Sequence, residues 1–249
     1  TTEILAHQAG LKSWIPYYQY TLEKNNQPDT TFFSRKINDH HHVRVAEDLY
    51  VSPDFSFVII DSIRYSGLRD PKEYKYSDLG FYLLARATEN ISNMPFEVFT
   101  KRYFYKPLGL QTMGFHPRKH FSLNRILPTE DDKVFRKQLL HGDVHDQGAA
   151  LLGGVSGHAG LFSNAMDLAV MMQMYLNYGK YGGERYIDSC TIVRFTSVQF
   201  PLEENRRGLG FDKPMLQFEH DGPNCKSASP SSFGHSGFTG TYAWADPEN

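Results

Sequence analysis

The hydrophobic period of this chain changes along its length, from helical spacing in the middle to alternation near the end, and that change limits the folds open to it. Leu79, Leu83, Leu84, Ala87 and Ile91 recur at helical spacing behind Ser77-Asp78, whose side-chain oxygens suit a first helical turn. A helix is expected from Tyr76-Ser77-Asp78 onward. Pro95 at a first-turn position, with Phe96, Phe99 and Tyr103 on one face, predicts a second helix that ends at Pro107-Leu108-Gly109, so the two make a hairpin. Asn164 with Asp167 resembles a capping box ahead of Leu168, Met171, Met172, Tyr175 and Leu176, and Gly179 supplies a stop. Near the other end, Phe238, Tyr242 and Trp244 are separated by even numbers, which predicts one strand over residues 233–246 with a single apolar face. Helices first and a strand last argue for a mixed α/β (α+β) architecture.

The remainder is less regular. Residues 2–7 predict a short helix stopped by Gly10, and residues 14–72 are mixed and loop-rich, with short elements that no local pattern places and the run His40-His41-His42 expected in a solvated loop. No repeat or low-complexity linker divides the chain, so residues 1–249 are expected to form a single incomplete domain, with residues 1–200 mainly helical and loop-rich and residues 201–249 starting a C-terminal sheet. The first residue is Thr1, without a charged and apolar leader, and the last four follow directly on a strand-like run; both ends are expected to be cuts inside a larger protein.

Composition narrows the partners. With 26 Lys+Arg against 28 Asp+Glu the net charge is -2, which provides no basic field for nucleic acid. No apolar run approaches the ~20 residues of a membrane span. A small-molecule or short-peptide substrate is expected. The two cysteines, Cys190 and Cys225, are too few for a disulfide scaffold and lack zinc-site spacing.

Most nucleophile signatures fail. Ser156 is followed two residues on by His158 and Ser236 by Phe238, so neither sits in Gly-x-Ser-x-Gly, and no serine has lysine three positions later. What remains is an ordered set of short motifs: Tyr76-Ser77-Asp78-Leu79-Gly80-Phe81, then Lys106-Pro107-Leu108-Gly109-Leu110, then Gly153-Gly154-Val155-Ser156-Gly157-His158-Ala159-Gly160-Leu161-Phe162-Ser163, then Gly234-His235-Ser236-Gly237-Phe238-Thr239-Gly240. This order resembles the serine β-lactamase-like and penicillin-binding-protein superfamily, of the class C β-lactamase, D-aminopeptidase and esterase type. In that family the first motif reads Tyr-x-Asn and the last reads Lys-Thr-Gly, His-Ser-Gly or His-Thr-Gly. A close variant occurs as a module fused to family 3 β-N-acetylglucosaminidases, so a glycosidase domain in the parent chain is a further expectation.

The resemblance implies a β-lactamase/transpeptidase-like fold, an antiparallel sheet with helices and an all-helical subdomain, and serine acyl transfer to or from an amide or ester, without cofactor or metal. It implies an extracytoplasmic, periplasmic setting. The opening residues 1–11 resemble the segment downstream of Ser-x-x-Lys, which puts the nucleophile just before Thr1 and leaves this chain by itself inactive. Tyr76 then helps carry the proton to the leaving group, for which a phenol of pKa near ~10 needs a nearby cation that this chain is expected to lack. Residues His235, Ser236, Gly237 and Phe238 form the strand motif, with the Phe238 N–H as oxyanion donor. Asp78 replaces the family's Asn and becomes acceptor-only when ionised, so amide recognition changes. His235 replaces a permanent cation with a group that titrates near ~6.5, so carboxylate binding is expected to depend on pH.

Two other readings compete. A non-catalytic module that binds peptidoglycan-like ligands would also suit Asp78 and His235. A metal-dependent hydrolase would centre on His141 and His145, in His141-Gly142-Asp143-Val144-His145-Asp146. A milder role for His145-Asp146 is to orient the glycine-rich loop by hydrogen bonding, and the loop itself reads as a tight structural turn.

Overall fold

The structure is a computed structural model that describes residues 1–217, 220 and 222–249. Helix α1 (Thr2–Leu5) leads into a three-stranded antiparallel sheet of β1 (Phe33–Ser34), β2 (Val43–Ala46) and β3 (Leu49–Val51), in the order β1-β3-β2. Helices α2 (Phe55–Arg64), α3 (Leu79–Ser92) and α4 (Phe96–Thr100) follow, the last continuing as a π-turn over Lys101–Tyr105. Then come the hairpin β4 (Pro128–Asp132) and β5 (Gln138–His141), helices α5 (Gln147–Leu151) and α6 (Ala165–Leu176), and the small hairpin β6 (Lys180–Tyr181) and β7 (Glu184–Arg185). Helix α7 (Ser189–Thr196) and a final hairpin, β8 (Phe233–Ser236) and β9 (Tyr242–Ala245), complete the chain. Among the described residues every sheet is antiparallel, and helices alternate with the sheets.

The main core lies between the first sheet and helices α2, α3 and α5, where Val45, Leu49, Val51, Ile59, Leu79, Leu140 and Leu151 are buried. Helix α2 buries Phe55, Ile59 and Ile63, spaced by four, and each such side chain contributes roughly 1.5–3 kcal/mol. A second cluster gathers Tyr105, Leu108, Leu110 and Met113 around Met174 of α6.

Where local signals were strong, the elements form as expected, with instructive differences in the caps. Helix α3 has Asp78 at its N-cap, but the Asp78 side chain makes no cap bond; the Leu79 N–H donates to Ser77 Oγ instead, at 3.2 Å. At α6, the Asn164 side chain accepts from Asp167 N–H at 2.8 Å, as a cap should. The reciprocal arm of a capping box is absent, because the Asp167 carboxylate accepts from Thr112 N–H (2.6 Å), Thr112 Oγ (2.7 Å) and Met113 N–H (3.1 Å). It therefore ties α6 to the segment after α4. Helix α1 ends well before Gly10: His7 itself takes a left-handed φ of 58° and turns the chain.

Among the loops of residues 14–72 the short elements are a three-stranded sheet and a ten-residue helix. One expectation about elements is overturned. Residues 233–246 form a hairpin, not one strand, because Gly237 N–H donates to Thr241 O (2.7 Å) and Gly240 N–H to Gly237 O (3.0 Å), which reverses the chain.

Candidate active site

Tyr76 and Asp78 enter the site from the turn before α3, and His235 enters from β8. The rings of Tyr76 and His235 lie 6.1 Å apart between centroids. On another side Tyr76 packs against His7, at 4.3 Å and an interplanar angle of 30°. His7 is buried, and its Nδ1 accepts from Ser77 N–H at 3.1 Å, which locks the histidine onto the turn that carries Tyr76 and Asp78. Burial, and next the charge of Arg207, push the His7 imidazole down to about 4, so it is neutral near pH 7.

Sequence reasoning expected no cation beside Tyr76, and the structure supplies one. The Arg207 guanidinium lies over the Tyr76 ring, 5.2 Å from its centroid. Its Nε donates to Tyr74 Oη (3.2 Å) and its Nη1 to His235 Nε2 (3.1 Å), while Nη2 lies 3.6 Å from Asp212 Oδ2. The cation does not win: burial, then the neighbouring Asp78 carboxylate, push the Tyr76 phenol up to about 12 against the pull of Arg207. The Tyr76 phenol therefore keeps its proton near pH 7.

Asp78 makes no side-chain hydrogen bond among the described residues, and burial raises its carboxyl above the usual range although His158 and His235 oppose this. It offers an open acceptor beside Tyr76. In the strand motif, His235 Nδ1 donates to Ser236 O (2.6 Å), Gly237 closes the turn, and the Phe238 N–H has no partner among the described residues. The Phe238 side chain is 91% exposed and stacks on His145 at 4.8 Å, not on Tyr76. The structure thus brings Tyr76 and His235 together with His7 and Arg207, while Phe238 stands at the rim with His145.

The stretch from His141 to Asp146 disperses. His141 Nε2 bonds Ile126 O (2.6 Å), Asp143 receives Arg44 (2.8 Å) and Arg118 (3.3 Å), and His145 faces Glu130 at 3.6 Å. Among the described residues no group of three His, Cys, Asp or Glu could hold a metal ion. The orienting role falls to Asp146 and not to His145. Asp146 Oδ1 caps α5 through Ala149 N–H (2.6 Å) and pairs with His158 Nε2 (2.9 Å), whose Nδ1 meets Ser156 Oγ at 2.9 Å. Although burial works against it, these bonds hold the Asp146 carboxyl below its usual range.

This Ser-His-Asp line has hydrolase-like spacing but not a nucleophile's placement. Ser156 is buried, and the His158 ring is stacked on Tyr82 of α3 at 4.1 Å. It braces the glycine-rich loop against α3. Close approach explains the glycines: a Cβ on Gly157 would lie 2.3 Å from Phe81 O, and one on Gly160, at φ 106°, would lie 2.2 Å from Gly154 O.

Comparison with known proteins agrees with this architecture. The Beta-lactamase family model matches residues 2–249. An N-acetylmuramyl-L-alanine amidase of Bacillus subtilis is 32% identical over 98% of this chain and 52% of its own length. A Salmonella typhi protein assigned as a D-alanyl-D-alanine carboxypeptidase is 36% identical over 73% of this chain and 45% of its own. The chain spans about half the length of the curated relatives it matches. Among solved structures, an octameric penicillin-binding protein homologue from Pyrococcus abyssi superposes with a TM-score of 0.61 at 18% identity, over 99% of this chain and 48% of that one. A penicillin-binding protein homologue from Caulobacter crescentus gives 0.60 at 17% identity, over 99% and 62%. The chain belongs to the beta-lactamase family.

Proposed function

We propose that residues 1–249 form the substrate cleft of a serine acyl hydrolase that cuts an amide or ester in cell-wall peptide material, on the extracytoplasmic side of the membrane. One observation carries this reading: the Tyr76 phenol is held between His7 and Arg207 and faces His235 of the His-Ser-Gly turn. The names of the amidase and carboxypeptidase relatives support the substrate class. The attacking serine comes from a Ser-x-x-Lys segment outside residues 1–249, since no serine here has lysine three positions on.

In this scheme the serine oxygen adds to the carbonyl carbon, and the negative charge on the carbonyl oxygen meets the Phe238 N–H and the serine's own N–H. Each such donor contributes roughly 3 kcal/mol. The amine or alcohol departs with a proton passed through Tyr76, and water then releases the acyl group from the serine. A phenol pushed up to about 12 is suited to giving the proton away; taking the serine's proton requires more positive charge than Arg207 alone provides, which the lysine of Ser-x-x-Lys would add.

The test is covalent labelling by a fluorescent penicillin and a fluorophosphonate. Residues 1–249 alone should stay unlabelled, while a chain that includes the Ser-x-x-Lys segment should be labelled. Labelling of residues 1–249 would place a nucleophile inside them and overturn the assignment. The high phenol pKa also favours a second reading, a non-catalytic module for peptidoglycan-like ligands; that module would bind muropeptides in calorimetry without any turnover by the longer chain.

A further inference from the structure

We propose that Arg207 is a fixed cation of this cleft and a positioning residue, which orients the His235 ring through Nε2 and so sets its tautomer with the proton on Nδ1. The effect on substrate rests on the acyl-hydrolase reading; the tautomer of His235 does not.

The argument starts from donor chemistry. A guanidinium has N–H donors and no acceptor, so the 3.1 Å contact from Arg207 Nη1 requires a lone pair on His235 Nε2. The proton then sits on Nδ1, where the 2.6 Å contact to Ser236 O gives it an acceptor. Both ring nitrogens are thereby assigned. Protonating Nε2 would set one N–H against another and place two cations side by side.

Arg207 is itself held firmly. Its side chain is 8% exposed, its backbone N–H donates to Asn205 Oδ1 (2.9 Å), and Tyr74 Oη receives its Nε. Asp212, the carboxylate paired with Arg207 among the described residues, is already taken by Arg206 in a two-pronged pair at 2.7 and 2.9 Å. The Arg207 charge is therefore only partly offset. Among the described residues, the charged and titratable groups around His235 include His7, Tyr74, Tyr76, Asp78, Arg207 and Asp212. Of these, Arg207 alone is a cation at every pH where the protein is folded.

A carboxylate-bearing substrate in this cleft thus meets the permanent guanidinium charge of Arg207 beside the His235 ring.

The test uses protein labelled with 15N-histidine. At pH 7.5 the imidazole spectrum of His235 should show a protonated Nδ1 and a bare Nε2. In Arg207→Ala both tautomers should appear, and millimolar guanidinium should restore the single form. Should that variant fail to fold, Arg207→Lys, which can still donate one bond, should keep the Nδ1–H form. In turnover of a carboxylate-bearing peptide, Arg207→Ala should raise KM at least about tenfold and change kcat far less. A proton on His235 Nε2 in the wild type, or a KM of Arg207→Ala within about twofold of the wild type, would overturn the proposal. If no peptide is turned over at all, the acyl-hydrolase reading falls while the spectrum still decides the role of Arg207.

Discussion

Replacing Arg136 by Met should lower the melting temperature by about 8 °C. The Arg136 side chain is wholly buried and Asp132 nearly so, at 0% and 1% exposure, with Nε and Oδ2 2.6 Å apart. The guanidinium also donates to the carbonyl oxygens of Val144 and His145, which immediately precede Asp146. Breaking a buried pair by removing one partner costs about 3–5 kcal/mol, mainly because the other charge is stranded. Here Asp132 keeps the N–H donors of Val134, Phe135 and Arg136, which reduces that cost, whereas the two carbonyls lose their partner, which adds to it. A net loss of about 4 kcal/mol is a fair middle value. At ~2.1 cal/mol/K per residue, a chain of 249 residues changes stability by about 0.5 kcal/mol per kelvin near its midpoint, which gives the 8 °C. The assay is a calorimetric melt of Arg136→Met, Asp132→Asn and the double variant. The double variant should fall short of the summed single effects, because it leaves no lone charge behind. A drop of under about 2 °C in both single variants would put the pair in the range of an exposed ion pair and refute the reasoning.

Three further outcomes can be measured. Tyr76→Phe should cut kcat of the serine-containing protein by about 10²–10⁴ while leaving the melting temperature nearly unchanged, since only the partly exposed hydroxyl is lost; unchanged kcat would remove Tyr76 from proton transfer. His7 binds its proton at about 4 when folded and near 6.5 when unfolded, so its contribution is complete above pH 6.5 and disappears as pH falls toward 4. It amounts to about 3 kcal/mol, and His7→Gln should flatten that part of the stability-pH curve from denaturant titrations. Gly157→Ala should cost several times the ~1–2 kcal/mol of Gly109→Ala, because the first drives a Cβ into Phe81 O and the second meets only left-handed strain at φ 77° in open space; equal urea midpoints would contradict this.

Helices α3 and α6 were legible in the sequence because their apolar stripes and capping residues are local signals. Helix α2 was not: Phe55-Ser56-Phe57-Val58-Ile59-Ile60 is apolar nearly throughout, so the buried spacing of Phe55, Ile59 and Ile63 is masked by Phe57 and Val58, which the fold leaves exposed. Strands β1, β2 and β3 are two to four residues long and exist through their pairing with one another, which no local pattern announces. The final hairpin reads as one strand in the sequence because its turn falls inside the even spacing of Phe238, Tyr242 and Trp244. In the site, Tyr76 and His235 stand in recognisable motifs. Arg207 does not; it lies 133 positions from Tyr74, and only the closing of the fold brings the two together. His7 was likewise invisible as a neighbour of Tyr76, because nothing in Ala6-His7-Gln8 marks which turn it will pack against.

The Ser156–His158–Asp146 line bears on how hydrolases are sought in coordinate collections. A three-point template that scores serine, imidazole and carboxylate by separation alone would retrieve this fold at the wrong place, since both contacts measure 2.9 Å. The imidazole is mounted back to front relative to a serine protease, with Nδ1 toward the hydroxyl and Nε2 toward the acid. Ser156 is itself buried, so its hydroxyl offers a substrate carbonyl no open approach. Adding ring orientation and solvent access to such templates would discard this decoy.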